Sequence, residues 1–327
     1  MSRLVDTYDV ALLDLDGTVY VGPRPVEYAV ESLNEAVAAG MRTVYTTNNA
    51  ARTPDEVTEQ LRQLGLTLEV TDVLTSAQVA AHHIAAELGA GARVLPVGGP
   101  GVRTALLAAG CEVVLSSDDH PVAVMQGYGP DVSWRDLAEA AYAIAGGAQH
   151  FATNTDLSIP TGRGIAPGNG TLVGAVVSAT GLTPQVTGKP FRPMFDLAVA
   201  QTGARHALVV GDRLDTDIEG GTNSELDTLF VLTGVDGVAE VLAAAPAQRP
   251  TYIADDLRAL FEQLPTVSVD ASGTATCGGW AITGSGVIAS VGPNTIDGVR
   301  AGAAAAWRAA DSGQPFDLDG LAARLLA

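Results

Sequence analysis

The chain has 327 residues, 47% hydrophobic and 17% charged, and its 18 Lys+Arg against 37 Asp+Glu leave a net charge of −19. That length accommodates two domains and an appendage, and no uninterrupted apolar run approaches the roughly 18 residues needed to cross a bilayer. A surface this acidic repels nucleic acid and anionic membranes, so neither is expected as a partner; it also repels phosphorylated molecules at long range, so any phosphate site must be built locally.

The start Met1-Ser2-Arg3-Leu4 lacks a long hydrophobic segment, so no signal peptide is expected. Cys111 and Cys277 lie far apart, in neither a metal spacing nor a disulfide framework. They fit ordinary thiols in a reducing cytoplasm, the expected location.

The apolar run Val10-Ala11-Leu12-Leu13 reads as a buried strand, and Asp14-Leu15-Asp16-Gly17-Thr18 follows it directly. Strand alternation points Asp14 and Asp16 the same way, and Gly17 permits a sharp turn whose backbone N–H groups can face an anion. Two acids there can hold a metal, attack an electrophile or donate a proton. The same pentapeptide also fits an exposed strand end with a D-G turn.

Val26, Ala29, Val30, Leu33 and Val37 form the apolar face of a helix ended by Gly40. A strand over Arg42–Thr46 runs into Thr47-Asn48-Asn49, and Thr53-Pro54-Asp55-Glu56 has the capping residue, proline and reciprocal glutamate of a helix start. Strands alternating with helices imply a parallel sheet, whose ligands gather outside the carboxyl ends of the strands. Asp14 and Thr47 both occupy such ends.

Farther on, Gly188-Lys189-Pro190 follows the strand-like Gln185-Val186-Thr187 and precedes a helix from Pro193. Alone it also reads as a surface lysine in a turn. The buried run Ala207–Val210 then leads into Gly211-Asp212-Arg213-Leu214-Asp215-Thr216-Asp217. Three acids in so short a loop repel one another without a cation, and oxygen donors without a His/Cys cluster favour Mg²⁺ over zinc.

Taken together, D-L-D-G-T, T-T-N-N, G-K-P and G-D-R-L-D-T-D resemble the four motifs of the haloacid dehalogenase superfamily, and more narrowly its NagD-like phosphatase branch. The resemblance spans roughly residues 8–262 and implies an α/β fold, a Rossmann-like doubly wound parallel sheet. Residues 1–75 and 187–262 would form that core, 76–186 an inserted α/β cap, and 263–327 a small α+β extension. Phe151 to Asp156, Pro160 and the glycine-rich 162–170 resemble the cap's return to the core.

The resemblance also implies roles. Asp14 is the expected nucleophile, forming an aspartyl-phosphate, and Asp16 the acid and base for the leaving alcohol and the incoming water. Thr47, with the backbone around Leu15 and Asn48, holds phosphate oxygens, and Lys189 neutralises charge. Mg²⁺ is held by Asp14, the Asp16 carbonyl and Asp212, with Asp217 behind them. A dehalogenase needs no acid two residues after its nucleophile, because halide leaves unprotonated; Asp16 therefore argues for ester hydrolysis.

For the substrate, a small phosphorylated metabolite, Asn154 and Asp156 could bond a hydroxyl-bearing leaving group, and Arg163 could meet a carboxylate or phosphate. Turn capping and a solvated arginine explain the same residues, and Tyr128 and His150 are weaker candidates still. Glycerol 3-phosphate is expected first and 2-phosphoglycolate second, with other small sugar or 4-nitrophenyl phosphates as alternatives. A non-catalytic phosphate sensor on this fold would be expected to lose Asp14 or Asp16.

In the extension, Val267–Val269 and Val287–Ala289 read as short strands, Thr295–Ala310 as an alanine-rich helix bearing Trp307, and Leu318–Leu326 as a further turn or two. About sixty residues are marginal alone, so packing on the core or on another subunit of a homo-oligomer is expected; a regulatory or truncated acetyltransferase-like module is also conceivable.

Overall fold

A computed structural model describes residues 2–326. The chain forms two compact units: one takes in everything up to Thr43 and from Thr202 onward, the other Val44–Gln201. The chain passes from the first to the second within the strand Arg42–Thr47.

The first unit is built on parallel strands. Val10–Leu13 pairs with Ala207–Gly211, which pairs with Asp227–Val231, which pairs with Tyr252–Ala254. Val10–Leu13 is buried along its whole length, as expected of a strand covered on both faces. Because these pairings are parallel, Asp14, Asp212 and the loop after Val231 emerge from one edge of the sheet. The helix expected from Val26 begins at Ala29 and runs to Ala38. A hairpin of Tyr20–Val21 and Arg24–Pro25 comes before it, and the Val26 N–H bonds Val19 instead of opening the helix.

The extension packs on this core. Its strands Ser268–Val269, Ala275–Cys277, Trp280–Ile282 and Ile288–Ser290 form an antiparallel sheet, followed by helices Thr295–Asp311 and Leu318–Leu325. Cys277, Trp280, Ile282, Val299, Leu321 and Leu325 share one buried cluster with Phe230, Val241, Leu242 and Ile253. The two middle strands escape sequence reading because each has three residues in a Gly/Thr-rich setting, too few for a period to show.

In the second unit, Tyr45–Thr47 pairs in parallel with Val73–Thr75. The helix Pro54–Gln63 carries the expected reciprocal cap: the Glu56 N–H donates to Thr53 Oγ1 at 3.3 Å, and the Thr53 N–H to Glu56 Oε2 at 2.8 Å. A five-stranded parallel sheet follows, ordered Gln185–Val186, Gln149–Ala152, Ala123–Gln126, Arg93–Val97, Glu112–Val113. Helices Ser76–Leu88, Pro100–Ala108, Trp134–Ala145 and Asn169–Thr180 accompany it. One buried cluster joins Ala77, Ile84, Leu106 and Phe151, and another joins Leu95, Val124, Ile144 and Val176. No helix among the described residues is long and apolar enough to cross a membrane.

Candidate active site

In the first unit the carboxyl ends of three parallel strands build an acidic centre. The Asp14 N–H still bonds the Val210 carbonyl at 2.9 Å, which fixes this residue one step beyond the strand. Leu15 turns inward and is buried, so Asp14 is half-buried on one side and Asp16 is exposed. The turn then closes tightly. The Val19 and Tyr20 N–H groups bond the Leu15 carbonyl at 2.8 and 3.1 Å, and the Gly17 N–H bonds Tyr20 at 2.8 Å. Gly17 has φ +86°, and a Cβ there would overlap the Asp212 carboxylate, so both conformation and space require glycine.

Asp212 is fully buried and held from two other segments. Its Oδ1 accepts the Thr18 hydroxyl at 3.3 Å and its Oδ2 the Val235 N–H at 2.7 Å. Asp217 is also buried and accepts the Arg213 N–H at 3.3 Å. Carboxylate oxygens of Asp14, Asp212 and Asp217 lie within 4.8 Å of one another. Three such charges, two of them buried, are mutually destabilising without a cation, and an all-oxygen donor set suits a hard divalent ion such as Mg²⁺. The residues therefore fit the implied metal. The third acid of the loop, Asp215, does not join them. Its two oxygens receive the Arg213 guanidinium at 3.0 and 2.9 Å, so its charge is offset within the loop itself.

The loop after Val231 is the part sequence reasoning missed. Thr233 donates to the Gly17 carbonyl at 2.6 Å, Val235 donates to Asp212, and Asp236 accepts the Leu214 N–H at 2.7 Å. Burial pushes the Asp236 carboxyl above its ordinary range. The available signal was positional: this loop also follows a buried strand, Asp227–Val231.

The second unit gathers the other predicted residues. Lys189 is buried, and its ammonium donates to the Thr46 carbonyl at 3.3 Å. Asn48 clasps the Lys189 backbone, accepting its N–H at 2.9 Å and donating to its carbonyl at 3.1 Å. Thr47 Oγ1 accepts the Asn49 N–H at 3.1 Å. Asp156 accepts from the Asn48 amide at 3.4 Å. Asn154, expected at the leaving group, is 3% exposed and engaged with backbone: it donates to the Asn48 carbonyl at 2.6 Å and accepts the Asp156 N–H at 3.2 Å. Arg163 stands on the exposed turn of the hairpin Ser158–Thr161/Gly164–Pro167, its N–H on Thr161 Oγ1 at 3.3 Å. Tyr128 accepts the Gly99 N–H through its carbonyl at 3.0 Å, and His150 is buried against Gln126.

The haloacid dehalogenase-like hydrolase family model matches residues 11–112, and a HAD-hydrolase-like one matches residues 186–260. With the relatives below, this establishes that the chain belongs to the haloacid dehalogenase-like hydrolases. It is 44% identical over 324 residues to the D-glycerol 3-phosphate phosphatase of Mycobacterium tuberculosis, covering 95% of this chain and 90% of that one. An acid sugar phosphatase of Staphylococcus aureus is 37% identical over 259 residues, 79% of this chain and 98% of that protein. The crystal structure of the M. tuberculosis glycerol phosphate phosphatase in complex with magnesium superposes with a TM-score of 0.87 at 43% identity, over 94% of this chain and 93% of that one.

Proposed function

We propose that this protein is a Mg²⁺-dependent phosphatase hydrolysing small phosphate monoesters, with glycerol 3-phosphate as its substrate and Asp14 as the nucleophile. The observation that carries the reading is the 44% identity to a D-glycerol 3-phosphate phosphatase along 324 residues, extension included. The triad of acids, two of them buried, is a donor set suited to a hard cation and supports it.

The Asp14 carboxylate attacks phosphorus, forming a new O–P bond as the ester P–O bond breaks, and Asp16 gives its proton to the departing alcohol. Asp16 then takes a proton from water, whose oxygen attacks the aspartyl-phosphate; the Asp14 O–P bond breaks and phosphate is released. By motif, Thr47 and the backbone N–H groups around Leu15 and Asn48 hold phosphate oxygens, and Lys189 offsets the charge that accumulates there. Asp14, the Asp16 carbonyl and Asp212 would hold Mg²⁺, with Asp217 orienting its water ligands; the ion screens the negative charge of the phosphoryl group. Leaving-group selection belongs to the inserted cap, residues 76–186, where Asp156 and Arg163 remain the proposed contacts; the core segments 1–75 and 187–262 carry the chemistry. The free thiols of Cys111 and Cys277 suit a reducing cytoplasm.

Parallel kcat/KM values for glycerol 3-phosphate, 2-phosphoglycolate, sugar phosphates, pyridoxal 5′-phosphate and 4-nitrophenyl phosphate test the assignment. Glycerol 3-phosphate is expected to lead. A lead for 2-phosphoglycolate or a sugar phosphate would move the assignment to that ester, and no Mg²⁺-dependent hydrolysis at all would favour a phosphate sensor.

A further inference from the structure

We propose that Asn154 and Ser76 are positioning residues for the phosphate-binding turn Thr47–Asn49, so that Asn154 acts on every substrate alike instead of selecting the leaving group. The inference rests on the phosphatase reading above, and it concerns residues of the second unit alone.

The peptide linking Asn48 to Asn49 is held at both ends. Its carbonyl accepts the Asn154 side-chain amide at 2.6 Å and the Ser76 hydroxyl at 2.7 Å. Its N–H, that of Asn49, donates to Thr47 Oγ1 at 3.1 Å. Because Thr47 Oγ1 accepts there, the hydroxyl proton is directed to a different acceptor, the role a phosphoryl oxygen would fill. The Asn48 side chain in turn fixes both backbone polar groups of Lys189. One pinned peptide thus sets the hydroxyl of Thr47 and the origin of the lysine side chain.

The amide orientations follow from partners of fixed polarity. Asn154 faces a carbonyl with its nitrogen and a backbone N–H with its oxygen, so a flip would oppose like partners at both ends. The Asn154 amide nitrogen also lies 3.5 Å from Thr153 Oγ1, a long contact, and the residue is almost wholly enclosed. Asn154 is anchored from behind as well. Its carbonyl accepts the Asn169 amide at 2.8 Å, and that same amide reaches the Gln126 carbonyl at 3.3 Å. Asn169 is 1% exposed and opens the helix Asn169–Thr180, so three asparagines in series connect this helix to the phosphate-binding turn. Buried amide-to-carbonyl bonds of this kind hold geometry firmly.

The test measures kcat and KM for glycerol 3-phosphate, 2-phosphoglycolate and 4-nitrophenyl phosphate with Mg²⁺, together with inhibition by inorganic phosphate. Wild type is compared with Asn154→Ala, Asn154→Asp and Ser76→Ala. Losing one hydrogen bond to the turn should lower kcat/KM about tenfold or more, by the same factor for all three esters, and weaken phosphate inhibition. Asn154→Asp sets a carboxylate against the Asn48 carbonyl and should be at least as damaging as alanine. Ser76→Ala should reproduce the pattern more mildly, and it carries the test if the Asn154 variants do not fold. A loss differing tenfold between esters would make Asn154 a leaving-group contact and overturn the proposal. So would unchanged kinetics and phosphate inhibition with only a lowered melting temperature. If the wild-type protein hydrolyses none of the three, the phosphatase reading itself fails.

Discussion

The buried carboxylate of Asp212 accepts the backbone N–H of Val235 at 2.7 Å, anchoring an acid at the end of one strand to the loop that follows the next. The contact leaves no room beside it, because a Cβ on Gly234 would overlap the Asp212 carboxylate. Gly234→Ala should therefore displace a ligand without removing one. The expected result is a Mg²⁺ requirement raised by about tenfold or more, the scale of loss seen when groups supporting metal ligands are altered. Asp212→Asn should be worse. A Mg²⁺ titration of activity checks both, and normal half-saturation in either variant would count against Asp212 as a ligand.

Asp14→Asn should abolish turnover while leaving the metal-free protein folded. Mg²⁺ should then stabilise this variant less than wild type, because the ion gains fewer ligands. Thermal melts with and without Mg²⁺ provide the check, beside an assay in which appreciable residual hydrolysis would refute the nucleophile.

Burial pushes the His150 imidazole down to about 4 from an ordinary 6.5, and its Nε2 faces Gln126 Oε1 at 3.0 Å. The unfolded chain takes up the proton first as pH falls, so this contribution to stability is complete above pH 6.5 and is lost progressively towards pH 4. The upper bound is about 3 kcal/mol. Urea unfolding of His150→Gln should depend less on pH than wild type between about pH 6.5 and 5, before the carboxylates titrate. Parallel profiles for the two proteins would exclude a buried neutral histidine.

In the extension, Asp297 and Arg300 form a buried pair at 2.6 Å, and Arg300 also donates to the Ile253 carbonyl of the core at 2.8 Å. Arg300→Met strands a buried carboxylate and should cost about 3–5 kcal/mol, whereas Arg300→Met with Asp297→Leu should recover most of it. Urea midpoints measure both. Ending the chain after Leu264 should be more severe, since Phe230, Val241, Leu242 and Ile253 would lose their cover; an unchanged, soluble and active truncated protein would contradict this packing.

Much of the candidate site was legible in the sequence because its signals are local. Val10–Leu13 reads as a buried strand from four apolar residues, the Thr53–Glu56 cap from one tetrapeptide, and the acids at 14, 16, 212 and 217 from their position just after strands. Residue type and short spacing carry such information because strand alternation and helix capping act over a few residues.

What only the tertiary structure decided are relationships between distant segments. Asp215 reads like its two neighbours in sequence, yet it pairs with Arg213 while Asp212 and Asp217 face Asp14. Val235, Ser76 and Asn169 carry no motif, and their contacts exist only because folding brings them to Asp212, Asn48 and Asn154. Asn154 reads in sequence as a candidate substrate contact, and folding sets its amide between two backbone groups. A hydrogen bond depends on distance and direction between partners, and here those partners lie from 2 to more than 100 residues apart in the chain. Sequence therefore supplied the candidate groups, and packing determined how each one is held.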